Sequence, residues 1–157
     1  MLQRFQTVFM AIVAICMGVV ANTSLWTKKS STNNDSVNLS AFTLDIVKGS
    51  ESTSSTTIFI LVAAIIAGLI AIYSISQFKN RKIQMLLGAI NSMVIAIVMG
   101  FIFYYIFKEG MPAFEPETEG KYGYGFYAGG VALLANMISN RFIRRDENLV
   151  RAADRMR

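Results

Sequence analysis

IFILVAAIIAGLIAIYSISQF at residues 58–78, KNRK at 79–82 and IQMLLGAINSMVIAIVMGFIFYYIF at 83–107 form the stretch that decides how this chain is organised. Neither long run holds Asp, Glu, Lys or Arg, whereas three of the four residues between them are cations. A charge at the centre of a bilayer costs at least about 2.5 kcal/mol, and about 20 apolar helical residues cross the hydrocarbon. The two runs are therefore read as membrane helices joined by a tight polar turn. Two weaker runs on either side, 5–21 and 124–139, are read the same way, with Gln3, Gln6 and Asn140 extending them. The expected fold is all-α, a single four-transmembrane-helix bundle over 1–157 with an outer polar loop at 22–57 and a basic amphipathic tail at 141–157. Arg4 and the small-residue end Val19-Val20-Ala21 would also suit a cleaved signal peptide, the competing reading of the first run.

Charge fixes the orientation expected of such a bundle. Arg4, Lys79, Arg81, Lys82, Arg141, Arg144, Arg145, Arg151, Arg155 and Arg157 fall on one side, ten cations against Asp146, Glu147 and Asp154. Lys28, Lys29, Lys48, Lys108 and Lys121 fall on the other, five against seven acids. Lys and Arg concentrate on the cytoplasmic side of membrane proteins, so both termini are expected on the cytoplasmic side of the membrane. That rule accounts for the basic excess, and no nucleic-acid partner is expected. Hydrophobic residues make up 54% of the 157 and charged residues 16%, against about 25% charged in soluble domains. With no histidine and one cysteine, Cys16, the chain offers no intrachain disulfide, usual zinc set or Cys-His pair, and neither cofactor nor metal is expected.

The outer segments differ in kind. Val37-Asn38-Leu39-Ser40-Ala41 alternates and leads into Phe42-Thr43-Leu44-Asp45-Ile46-Val47, which predicts a short strand or hairpin. Ser50 to Thr57 is read as a mobile polar lead-in to the second helix. Glu115, Glu117 and Glu119 around Pro116 are read as a solvated acidic loop, because the Asp/Asn and Gly pattern of a calcium loop is missing. Trp26, Phe101, Phe103, Tyr104, Tyr105, Phe107, Tyr122, Tyr124, Phe126 and Tyr127 are read as an aromatic belt at headgroup level.

Helices in lipid associate through close packing of small residues and through side-chain hydrogen bonds. Gly88, Ser92, Ala96 and Gly100 are expected to form one packing groove on the third helix, and Gly125 and Gly129 a small-xxx-small start to the fourth. Asn91 and Asn136 are the candidate intramembrane polar contacts, read first as structural glue and second as the lining of a ligand pocket. In the tail, Phe142, Ile143, Leu149, Val150, Ala153 and Met156 share one helical stripe, and the fourth helix is expected to run on past the membrane. Arg144, Arg145, Leu149, Val150, Arg151 and Arg155 are the candidate contacts to anionic lipid or to a protein partner.

Three segments carry a family resemblance: the opening Met1 to Thr7, the turn Phe78 to Gln84, and the ending Arg144 to Arg157. They resemble an uncharacterised family of small four-span inner-membrane proteins of Bacteroidetes, a domain of unknown function. The resemblance implies an inner-membrane location in a Gram-negative cell and supplies no activity and no catalytic residues. The expected role is a non-enzymatic accessory or assembly subunit of a larger membrane complex, with membrane lipids and another membrane or cytoplasmic protein as partners. The alternative is a binder or carrier of lipid or another hydrophobic molecule, acting as an oligomer. An enzyme is disfavoured because only Tyr, Ser and the tail arginines would be available as tools, and a coupled ion transporter because no ionisable residue lies at depth.

Overall fold

A computed structural model describes residues 2–30, 35–77, 80–113 and 120–155. The order is α1 (Leu2–Asn22), β1 (Trp26–Lys29), β2 (Ser36–Leu39), β3 (Thr43–Lys48), β4 (Glu51–Thr56), α2 (Ile58–Ser76), α3 (Arg81–Tyr105), β5 (Lys121–Tyr122) and α4 (Tyr124–Arg155). A π-helical turn, Ile106–Gly110, and a 3-10 turn, Met111–Ala113, follow α3. The four helices close a ring in which α1 touches α2 and α4, and α3 touches the same two.

The all-α expectation is corrected. The segment read as an outer polar loop, 22–57, holds four strands, and with β5 they make a five-stranded antiparallel sheet ordered β4-β3-β2-β1-β5. Trp26 and Lys28 of β1, Val37 and Leu39 of β2 and Leu44 of β3 are buried, as alternation requires of a sheet with one face on a core. The expected hairpin exists as β2 and β3, but Ser50 to Thr57 is not a mobile lead-in. Its residues Glu51–Thr56 form β4 and pair with β3, from Thr43 opposite Thr56 to Lys48 opposite Glu51. Gly49 at φ +57 makes the turn, the conformation that a two-residue hairpin of type II′ needs at its first central residue. On β4, Ser54 donates to Asp45 directly across the ladder at 2.7 Å, so a Ser/Thr-rich run gains a cross-strand partner.

The four-span expectation is corrected as well. Among the described residues two helices are long and apolar enough to cross a membrane, Ile58–Ser76 with 19 residues and Lys82–Ala113 with 32. The described apolar part of α1, Gln6–Asn22, is shorter than a span. On α4 the apolar stretch ends at Ser139, about 24 Å along a helix at 1.5 Å per residue, short of about 30 Å of hydrocarbon. These two long helices carry the support for membrane association. Only 28% of each one's most apolar window is buried inside the molecule, so they do not have the enclosure of a soluble core helix. Ile65, Leu69 and Ile72 of α2 and Leu86, Met93 and Ile97 of α3 face outward.

Candidate functional site

Buried polar side chains gather at one end of the helix ring. Gln6 of α1, Ser74 of α2, Gln84 and Asn91 of α3, and Asn136 and Ser139 of α4 are buried, all nearer the cationic end than the sheet. The helices place them there by register: α1 and α3 begin at that end, and α2 and α4 arrive at it late in their length. Asn136 is the hub. Its amide donates to the Gly88 carbonyl at 2.9 Å and to Ser92 Oγ at 2.6 Å, and its Oδ1 accepts from Asn91 Nδ2 at 3.4 Å. Ser139 donates to the Gln6 carbonyl at 3.5 Å, which ties α4 to α1. Among the described residues, Gln6 Nε2, Ser74 Oγ, Asn91 Oδ1 and Asn140 Oδ1 are buried with no hydrogen-bond partner. None of these groups titrates in the physiological range, so the seam can hold a polar group but not relay a proton through its own side chains.

The expected small-residue groove of α3 divides along its length. A Cβ at Gly88 would lie 1.9 Å from Asn140 Oδ1, so α4 packs directly on that glycine. Ser92 is half-buried and bonded back to the Gly88 carbonyl at 3.2 Å. Ala96 and Gly100 are exposed, and nothing lies within 4 Å of a Cβ built at Gly100. The reason is geometric: steps of four residues turn the stripe by about 40° each on a 3.6-residue helix, so one straight neighbour cannot cover all four positions. On α4, Gly129 meets Met99 Sδ of α3, and Gly125 meets Leu25.

Trp26 is not part of an aromatic belt. It is 1% exposed, and its indole lies so close to Gly110 and Gly120 that a Cβ at either would clash. Lys28, 3% exposed, donates to the Met111 carbonyl at 2.8 Å, a cation placed where the turns after α3 end. Tyr104, Phe107, Tyr124 and Tyr127 are exposed. The carboxylates Glu115, Glu117 and Glu119 lie outside the described residues. Buried Gln6 and Gln84 were missed in the sequence because glutamines near a cationic helix start resemble solvated ends.

The tail departs from the ring as part of α4. Phe142 stacks on Phe9 at 5.9 Å and Ile143 is buried, so the helix is anchored to this point. Thirteen residues of α4 follow Phe142 while seven of α1 precede Phe9, so α4 reaches about 9 Å further at 1.5 Å per residue. Arg144 and Arg145 are exposed, and Leu149 is 55% exposed. Val150, Arg151 and Arg155 continue the helix, and their side chains lie outside the described set. Among the described residues no group of three or more Cys, Asp or Glu side chains converges.

Residues 2–156 match the family model described as Domain of unknown function (DUF4293). No curated protein matches the chain.

Proposed function

The chain belongs to the DUF4293 family, a domain of unknown function, and we propose that it is a non-enzymatic accessory or assembly subunit of a complex in the bacterial inner membrane. In this reading α2 and α3 cross the bilayer with α1 and α4 packed on them. The cationic end faces the cytoplasm and the sheet faces the other side, as the Lys and Arg distribution favours. The observation that carries the reading is the extension of α4 past α1, which presents exposed Leu149 beside Arg144 and Arg145. A helix with an apolar stripe and a basic flank is a form that a partner's groove receives.

The test is purification in mild detergent from the native host, with a chain that ends after Asp146 compared with the full chain. This truncation keeps Ile143 in its packed position. The expected result is loss of a stoichiometric protein partner, with membrane fractionation and folding retained. An unchanged set of copurifying proteins would sink the proposal. A second reading, a binder of lipid or another hydrophobic molecule acting as an oligomer, is favoured by the groove between α1 and α2. That groove is about 360 Å³ and runs over Ala14, Gly18 and Ala21 opposite Ala64 and Gly68.

A further inference from the structure

The outward face of α4 changes character where the helix leaves the ring. Val131, Leu134 and Met137 are exposed apolar positions, the apolar stretch ends at Ser139, and Asn140, Arg141 and Arg144 follow. Met137, Asn140, Arg141 and Arg144 line one groove of about 220 Å³. Steps of three and four set these positions side by side, and Met137 to Arg144 spans about 10 Å of helix at 1.5 Å per residue. The groove is therefore apolar at the end nearer the sheet and cationic at the other.

Its polar wall consists of donors. Arg141 and Arg144 are exposed and lie one turn apart, and among the described contacts neither guanidinium has a hydrogen bond or an ion pair. Asn140 turns its amide oxygen onto Gly88 of α3, where that atom is buried, so the end of the amide left to the groove is its N–H donors. Among the described residues no carboxylate lines the groove. Asp146 and Glu147, the acids that follow on α4, are half-buried and have interactions of their own. The segments at this end of the ring carry ten cations against three acids, so the wider field adds to the local charge instead of cancelling it. Guanidinium forks take phosphate through paired, charge-assisted hydrogen bonds, and two forks one turn apart reach the same group.

We propose that this groove binds the phosphate of an anionic membrane lipid, with Arg141 and Arg144 on the phosphate oxygens, Asn140 as a further donor and Met137 beneath the start of the acyl chains. The headgroup class follows from the lining, because a zwitterionic lipid would bring its ammonium among arginines with no carboxylate to receive it. The lipid as source follows from position: the exposed apolar face of α4 runs into the groove and sets both arginines just past its end, the level of anionic headgroups on the cytoplasmic leaflet. A soluble phosphate compound would leave Met137 without a role. The inference rests on the membrane placement given above. It does not rest on the partner assigned to the α4 extension, since the lining ends at Arg144.

The experiment is native mass spectrometry of the full chain in mild detergent, titrated with phosphatidylglycerol or with phosphatidylcholine of the same acyl chains. One phosphatidylglycerol per chain is expected to be retained, about tenfold or more tighter than phosphatidylcholine. The double variant Arg141→Gln, Arg144→Gln changes two exposed side chains, so it should fold normally, lose about tenfold in phosphatidylglycerol affinity and bind phosphatidylcholine as before. Arg141→Lys with Arg144→Lys keeps the charge without the forks and should fall between. Arg145→Gln removes an exposed arginine outside the groove and should change the affinity less than about twofold. A chain ending after Asp146 keeps the whole lining and should bind as the full chain does. Four results would overturn the site while keeping the membrane reading: no preference for phosphatidylglycerol, an equal loss with Arg145→Gln, displacement of the lipid by glycerol phosphate, or loss of binding in the shortened chain. The third would assign the groove to a soluble phosphate compound and the fourth would move the contact to the tail. Retention of neither lipid by any of these chains would remove the membrane reading itself.

Discussion

The two ends of the helix ring are built on opposite principles. At the sheet end the core is apolar apart from Lys28 and Thr57, with Leu25, Trp26, Leu39, Leu44, Ile102 and Ile106 fully enclosed and glycines letting backbones approach the indole and the chain beside β1. Backbone bonds fasten it: Leu25 N–H donates to the Leu39 carbonyl and Gly123 N–H to the Leu25 carbonyl, both at 2.8 Å. At the cationic end the contacts are side-chain amides and hydroxyls, several with an unused atom. A close-packed core has one good arrangement, whereas a polar seam with spare donors and acceptors tolerates several. The sheet end is accordingly the fixed cap and the cationic end the adaptable one, where α4 extends.

Trp26→Ala should have the largest effect, because it empties the enclosed site against Gly110 and Gly120. A loss of about 3 to 5 kcal/mol is expected, read by circular dichroism during denaturation in detergent. Gly120→Ala approaches the same contact from the other side. Its Cβ would lie 2.0 Å from the indole, and a loss of about 1 to 3 kcal/mol is expected. If both variants melted like the parent, the sheet end would not be the rigid one and the comparison would fail.

At the polar end the two asparagines should separate. Asn136→Leu removes the donor to Gly88 and Ser92 and is expected to cost about 1 to 2 kcal/mol, the range of interhelical bonds in membranes. Asn91→Leu removes one long bond and an acceptor that has no partner but strands Asn136 Oδ1, so its cost should be the smaller of the two, about 0.5 to 1 kcal/mol. Equal costs would mean that Asn136 is not the hub.

The sequence made some of this legible and concealed the rest for identifiable reasons. Both long helices were expected within two residues of their observed starts, since an uncharged apolar run has one reading. The β2-β3 hairpin followed from alternation. Strand β4 was missed although Gly49-Ser50, two residues between runs, is itself a hairpin signal; the run ESTSST has no apolar alternation to show beside it. Strand β5 has two residues and pairs with Trp26 from nearly a hundred positions away, so no local pattern could announce it. The burial of Trp26 was hidden for the same reason, because its contacts Gly110 and Gly120 are equally distant. The small residues of α3 were found, but composition alone does not show that α4 covers Gly88 and leaves Gly100 open.

The one stabilising substitution falls at Gly18, and its sign is the informative part. Gly18 lies in the groove between α1 and α2, with nothing within 4 Å of an added Cβ and an ordinary helical backbone. Gly18→Ala should therefore stabilise the protein by about 0.4 to 1 kcal/mol, chiefly by restricting the unfolded chain. Gly88→Ala, whose methyl must turn the Asn140 side-chain amide aside, should gain less than Gly18→Ala. Read together in one detergent by thermal melting, the pair measures which glycines are covered by a neighbouring helix's side chain and which leave surface open. A loss of stability or of an oligomer with Gly18→Ala would show that another surface covers this groove in the native membrane. The adaptable region would then extend from the cationic end along the side of the ring.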